Sequence, residues 1–388
     1  MLNKGYIRIL AGILFISNIN ANFWQLKKEF LTKVETEGLK GANTVWMHQQ
    51  IARDIADAKK SGHSFSVRPE LYDWFNNEDL VVRYRIKDNK LSIHKSSKKM
   101  DPVASVDRLK RMNQMFTALT KLIKVPDVDI IVSLQDNING DGSDIPGIIF
   151  GFAKDKHLDK NVILMPDFQI LDIYPHMLKQ VEVGNLEYPW EVKKNQAFWI
   201  GATTGGVYSK KNNRNYTDDA YTKENYKELD RIKICDLSMQ FPDLLYARLY
   251  FLVQMKDDLK PLLSKYLVPK MPIKDHMQYK YQISIDGNGA SSSRTYWQLF
   301  SNSVLFKQKT DSIRWYHNAL VKYKHYIPFK NDLSDLIDQI KWAQGNDDKV
   351  REIVTDANDF ALNHLRVADN LYYLYSLLKE ISKIQNPS

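Results

Sequence analysis

Tyr281-Gln282-Ile283-Ser284-Ile285 runs directly into Asp286-Gly287-Asn288-Gly289-Ala290-Ser291-Ser292-Ser293-Arg294. The first five residues read as a strand. The nine that follow hold two glycines, three serines and one arginine. Beyond them Tyr296, Leu299 and Phe300 recur at helical spacing. A strand, a loop of small residues and a helix in this order begin a βαβ unit, and open parallel sheets bind ligands beyond the carboxyl ends of their strands. Glycine lets the backbone approach a phosphate, hydroxyl and N–H groups bond its oxygens, and arginine forks two of them. A flexible surface loop is the alternative reading of the same residues.

Working outward, other short apolar runs end in the same way. Ile130-Ile131-Val132-Ser133-Leu134 leads to Gln135-Asp136, and Val162-Ile163-Leu164-Met165 leads to Pro166-Asp167. Ala197-Phe198-Trp199-Ile200 leads to Gly201, and Ser303-Val304-Leu305-Phe306 leads to Lys307. Uninterrupted runs of this length suit strands buried on both faces of a parallel sheet. Earlier in the chain, Met47, Ile51 and Ile55 mark a helix. Val82, Tyr84 and Ile86 alternate, Asp88-Asn89 turns, and Leu91 and Ile93 alternate again, which predicts a β-hairpin. Leu109, Met112, Phe116, Leu119 and Ile123 form an amphipathic helical stripe. Leu371, Leu374, Leu378 and Ile381 mark a last helix. With 388 residues the chain suits two α/β domains.

A formal net charge of +9 favours anionic partners such as nucleotide diphosphates, acidic glycans or anionic lipid, and does not by itself argue for nucleic acid. The single cysteine, Cys235, excludes an intrachain disulfide framework. It lies in Ile232-Lys233-Ile234-Cys235, which reads as a buried, strand-like run. Lys4 and Arg8 precede the apolar run 9–16, which is too short to span a bilayer as a helix. A cleaved signal, a membrane-touching anchor and a packed helix all fit residues 1–21.

Four places carry candidate chemistry. Gly201-Ala202-Thr203-Thr204-Gly205-Gly206 is a second small-residue loop after a strand, either a phosphate cradle or a plain glycine turn. The loop 286–294 is the first. Asp136 and Asp167 each follow a strand, where a carboxylate can take the proton of an attacking hydroxyl; a loop or cap carboxylate is the commoner fate of such a residue. The nine histidines show no HxH or HExxH spacing. Asp141 and Asp144 lack the twelve-residue calcium pattern and read as a solvated turn. No GxSxG elbow occurs. Lys95, Lys98, Lys99, Arg108, Lys110 and Arg111 form a basic stretch, read as a solvated face, with acidic lipid or glycan contact as the alternative.

At these residues the sequence resembles glycosyltransferase family 90. The matching stretches are Tyr188-Pro189-Trp190-Glu191-Val192-Lys193-Lys194, the run from Ala197 to Gly206, Arg231-Ile232-Lys233-Ile234-Cys235-Asp236-Leu237-Ser238 and Phe241-Pro242-Asp243-Leu244. The run from Lys280 to Arg294, Ser301 to Gln308, His325-Tyr326-Ile327-Pro328-Phe329 and Asp332-Leu333-Ser334-Asp335-Leu336 complete them. The resemblance implies a GT-B architecture, two Rossmann-like domains facing a cleft, and inverting transfer from a UDP-sugar without a metal or other cofactor. It implies Asp136 as the catalytic base and Arg294 on the donor diphosphate, with Ser292 and Ser293 beside it. Gly201, Thr203, Thr204, Asp286 and Gly287 fall in the implied donor site. Ile200 stands where the family usually has arginine, and the loop between Gly287 and Arg294 is one residue longer than in the animal members.

The expected organisation is an acceptor-side domain at 22–192, a donor-binding domain at 193–365 and a bracing helix at 366–388. The expected acceptor is a hydroxyl on a glycan, lipopolysaccharide or protein, and the sugar glucose or xylose. The expected location is cytoplasmic with peripheral membrane contact, export through a signal peptide being the alternative. The rival function is a non-catalytic relative that binds a glycan or nucleotide.

Overall fold

The computed structural model describes residues 19–40, 44–77, 80–96, 104–136, 145–205 and 221–386. The apolar run 9–16, Lys98 and Lys99, Asp141 and Asp144, and Gly206 lie outside the described residues. In chain order, α1 (Ile19–Lys40), α2 (Val45–Lys60) and α3 (Pro69–Asn77) precede β1 (Val81–Lys87) and β2 (Lys90–Lys95). Then come α4 (Ala104–Leu122), β3 (Val128–Ser133), β4 (Ile149–Gly151), β5 (Lys154–Asp155), β6 (Val162–Leu164) and α5 (Ile173–Glu187). β7 (Lys194–Ala202), α6 (Asp230–Gln240), β8 (Leu245–Phe251), β9 (Tyr279–Ser284), α7 (Ser293–Gln298) and β10 (Val304–Gln308) follow. The chain continues through β11 (Ser312–Ile313), β12 (Ile327–Phe329), α8 (Leu336–Gly345), α9 (Asp347–His364) and α10 (Val367–Gln385).

Two five-stranded sheets result, ordered β2-β1-β3-β4-β6 and β12-β10-β9-β7-β8. The second is parallel throughout. In β7 both faces are covered: Ala197 and Trp199 enter one core, and Phe198 and Ile200 a second cluster with Tyr279. Burial on both sides is why this strand is apolar without alternation. The first sheet is mixed, because the predicted hairpin β1–β2 adds antiparallel to β3. Asp88 and Asn89 make its turn with φ of 51° and 60°, a left-handed pair that Asp and Asn tolerate and that suits the strand twist.

The stripe of α4 buries Leu109, Met112, Phe116 and Leu119, and Phe116 stacks on Tyr84 of β1 at 4.2 Å. Burying one such side chain contributes about 1.5–3 kcal/mol, and Phe116→Ala would cost about 3–5 kcal/mol through the cavity it leaves. α10 returns to this core: Leu371, Leu374, Leu378 and Ile381 pack there, and Lys33 of α1 pairs with Asp369 at 2.5 Å. Gln385 donates to the carbonyls of Phe65 and Asp129. β5 and β11 form an antiparallel ribbon between chain segments more than a hundred residues apart.

One local expectation fails. Ile232–Cys235 is not a strand but part of α6, where Ile232, Cys235 and Ser238 turn inward at a spacing of three. Four residues contain too little of either period to separate the two. Cys235 is buried as expected, and burial pushes its thiol up to about 12. Among the described residues no helix is long and apolar enough to cross a membrane.

Candidate functional site

The carboxyl ends of β7 and β9 set the two small-residue loops side by side. Trp199 and Gly201 share one face of β7, and a Cβ on Gly201 would stand 2.2 Å from the indole. Glycine is required there by the tryptophan beside it. Thr203 is buried, and its hydroxyl donates to the carbonyl of Val253 and accepts from the Val253 amide, at 2.6 and 2.8 Å. That side chain is used inside the fold, tying the loop after β7 to the chain leaving β8. Gly205 takes a left-handed φ of 111°, and its amide donates to the Asn288 side chain at 3.1 Å.

In the loop 286–294 the Asp286 carboxylate is also turned inward. It accepts from the Ser291 amide at 2.9 Å and from the Thr310 hydroxyl. Asp286 therefore shapes the loop. Gly287 is a close approach: a Cβ would come within 2.6 Å of the Arg231 guanidinium and 2.8 Å of the Thr204 hydroxyl. Ser292 stands at the N-cap of α7 without spending its side chain on the helix, and Ser293 opens the helix. The first N–H groups of a helix have no intrahelical acceptor, so backbone donors collect beside these hydroxyls.

Arg294 lies in the first turn of α7. One terminal nitrogen donates to the Ile200 carbonyl; the other is buried with no protein partner. Burial, then the neighbouring positive charge of Arg231, holds its pKa down to about 10. Arg231, from the start of α6, spans both loops. It donates to the carbonyls of Asp286 and Ala202, each at 3.0 Å, and to the Thr204 hydroxyl. Nothing in its spacing marked this residue, although it begins one of the stretches that carry the resemblance.

Asp136 follows β3 and meets the same place from the first sheet. Its carboxylate pairs with Arg108 of α4 at 2.8 Å and accepts from Asn288 at 3.3 Å. Arg108 also donates to the Leu134 carbonyl at 2.7 Å, which fixes it against the strand end. The arginine read as part of a solvated basic face is thus the one that orients Asp136. Asn288 bonds both Asp136 and Gly205, so one side chain links the ends of β3, β7 and β9. Asp167 is built differently. It is buried in an ion pair with Arg314 at 3.0 Å, and burial raises its pKa against that charge. Arg314 in turn donates to the Ala290 carbonyl at 3.0 Å. Through Arg314, Asp167 anchors the loop 286–294. Among the described residues no three His, Cys, Asp or Glu side chains gather where they could hold a metal ion.

The model of glycosyl transferase family 90 matches residues 43–387. The chain belongs to glycosyl transferase family 90. Among its relatives, protein O-glucosyltransferase 2 of Danio rerio is 25% identical over 325 residues, covering 81% of this chain and 58% of that protein. Protein O-glucosyltransferase 3 of Homo sapiens is 26% identical over 345 residues, 87% of this chain and 62% of that one. Protein O-glucosyltransferase 1 of Bos taurus is 25% identical over 276 residues, 67% and 63% of the two chains. The chain spans about three fifths of the length of these relatives. The two sheets and the helices packed on them give this family member a mixed α/β build.

Proposed function

We propose that this family 90 protein moves a sugar, glucose or xylose, from a UDP-sugar to a hydroxyl acceptor with inversion at the anomeric carbon. The two sheets then act as the halves of a GT-B enzyme, with the acceptor on the side of β3 and the donor at the ends of β7 and β9. The observation that carries the reading is Asn288, which bonds the Asp136 carboxylate and the Gly205 amide together. A candidate base from one sheet thereby stands over the glycine loops of the other. The relatives' names favour a protein hydroxyl as acceptor; a glycan or lipopolysaccharide hydroxyl presents the same chemistry.

In the proposed step the acceptor oxygen forms its bond to the anomeric carbon as the bond to the diphosphate oxygen breaks. The acceptor proton passes to Asp136 and UDP departs. Charge growing on the leaving diphosphate meets the unpartnered nitrogen of Arg294 and the amides at the start of α7. Donors fixed before the reaction starts stabilise that charge without reorganisation. No metal or other cofactor enters the proposed step.

The test is UDP release from UDP-glucose and UDP-xylose, with the anomeric configuration of the product read by NMR. Expected is turnover of one donor with inversion, from an α-linked donor to a β-linked product. Absence of turnover, together with absence of thermal protection by any UDP-sugar, overturns the reading.

A further inference from the structure

We propose that the end of the first sheet opposite Asp136, together with the amino end of α1, is a docking surface for an anionic lipid bilayer. The proposal stands apart from the nucleotide-sugar reading and goes beyond it.

Three parts of the chain meet at that end. β3 begins there at Val128, and β1 runs antiparallel to it, pairing Ile86 with Val128. The hairpin turn from Lys87 to Lys90 therefore projects past the start of β3. Asn89 ties the turn to the end of α4: its side chain donates to the Thr120 carbonyl at 3.1 Å and accepts from the Val125 amide at 3.0 Å. α10 ends here too, where Asn386 donates to the Asp127 carbonyl at 3.0 Å. α1 lies antiparallel to α10, since Phe30 meets Tyr375 and, further along α1, Lys33 meets Asp369. Trp24 precedes Phe30 by about 9 Å of helix. It thus lies beside the last turns of α10, at the same end of the molecule as Lys87 and Lys90.

Trp24 is 66% exposed, Lys27 sits over its ring at 5.4 Å, and Lys28 is exposed one turn further on the same face. Lys87, Lys90 and Lys124 are exposed as well. Among the described residues none of Lys28, Lys87, Lys90 and Lys124 is in an ion pair with a carboxylate. Lys87 and Lys90 stand directly opposite each other in the hairpin, a like-charge pair that costs stability. The acids nearby are engaged: Glu380 with Lys383 at 2.6 Å, Glu29 with the Gln25 side chain at 2.8 Å and Asp127 with the Asp88 amide at 2.8 Å. Asp88, in the turn itself, offsets part of the charge. The sequence that enters α1 at this end carries Lys4, Arg8 and the apolar run 9–16.

An indole places its ring at headgroup depth and keeps its N–H hydrated, while lysines around it meet lipid phosphates. Lysines alone would read as a solvated surface. The exposed tryptophan among them and the apolar run beside them match a bilayer, and an acidic protein would use the lysines only. Asp136 lies beyond the opposite end of β3, so docking here leaves the cleft uncovered.

The test is flotation of the full chain with vesicles of phosphatidylcholine, alone or mixed with phosphatidylglycerol. Expected is binding to the anionic vesicles that weakens with salt, and far weaker binding to the neutral ones. One lysine near an anionic surface strengthens binding about fivefold, so Lys28→Gln and Lys90→Gln should each cost about that factor. Trp24→Ala should cost at least about fivefold. Lys341→Gln, an exposed position on α8, removes the same charge elsewhere and should cost less than about twofold. All four positions are exposed, and a thermal melt on each variant checks the fold. No binding to anionic vesicles, equal binding to neutral ones, no effect of Trp24→Ala, or equal effects of Lys90→Gln and Lys341→Gln each overturn the proposal. Retention on an acidic protein or polysaccharide without flotation overturns it too. No outcome depends on turnover or UDP binding, so failure here leaves the proposed reaction standing.

Discussion

Asp136→Asn should separate chemistry from both stability and donor binding. The Asp136 side chain is 44% exposed, and its partners are Arg108 at 2.8 Å and Asn288 at 3.3 Å. An ion pair this open to water contributes about 0.2–1 kcal/mol, and asparagine keeps the size and one acceptor oxygen. The melting temperature should therefore move by at most a few degrees. Catalysis has a different scale. A positioned general base contributes roughly 10²–10⁴-fold, which is about 3–5 kcal/mol of barrier. UDP affinity should hold or tighten slightly, because a negative charge near the diphosphate has gone. The assay is kcat from UDP release at saturating donor and acceptor, with UDP affinity by calorimetry and a thermal melt on the same preparation. A kcat within about threefold of wild type, with the melt unchanged, refutes Asp136 as the base.

Four further outcomes follow from the same geometry. Arg294→Ala removes the buried nitrogen left for the diphosphate, and a charge-assisted hydrogen bond is worth about 1.5–3 kcal/mol, so UDP should bind roughly ten- to a hundredfold more weakly by calorimetry. Gly287→Ala places a methyl group 2.6 Å from Arg231 and 2.8 Å from the Thr204 hydroxyl, so UDP binding should be lost before the circular dichroism spectrum changes. Lys193 is held down to about 7 by burial, from 10.5; the unfolded chain then binds more protons between those values, and stability should rise with pH across that window by up to about 1.4 kcal/mol per unit. Urea melts at pH 7 to 9.5 check this, and Lys193→Met should flatten the slope. Turnover should survive excess EDTA, and loss restored by manganese or magnesium would contradict the metal-free step.

Legibility in the sequence followed the length of the pattern. The runs at 130–134, 162–165, 197–200, 281–285 and 303–306 all fall on strands, because burial on two faces leaves a continuous apolar signature. The hairpin and α4 carry their own periods over a dozen residues or more. Ile232–Cys235 is too short for its period to be read, and the helix won there. At the site, spacing located both loops but not the duties of their side chains. Thr203 and Asp286 lie in the expected loops yet spend their polar atoms on the fold. Arg231, Arg108 and Asn288 are set by contacts between elements 55, 26 and 152 residues apart in sequence. No local pattern encodes such contacts.

The return of α10 to the first sheet bears on how the chain is made. Synthesis runs from the amino end, yet the first sheet's core is closed by residues 367–385. The second sheet's core draws on residues 190–353, a continuous span that emerges earlier. The later-encoded half can therefore collapse while the earlier one still waits for its last helix. Until then the inner faces of β1, β3 and α4 stay open to wrong partners, which makes the amino-terminal half the part most dependent on chaperones during translation.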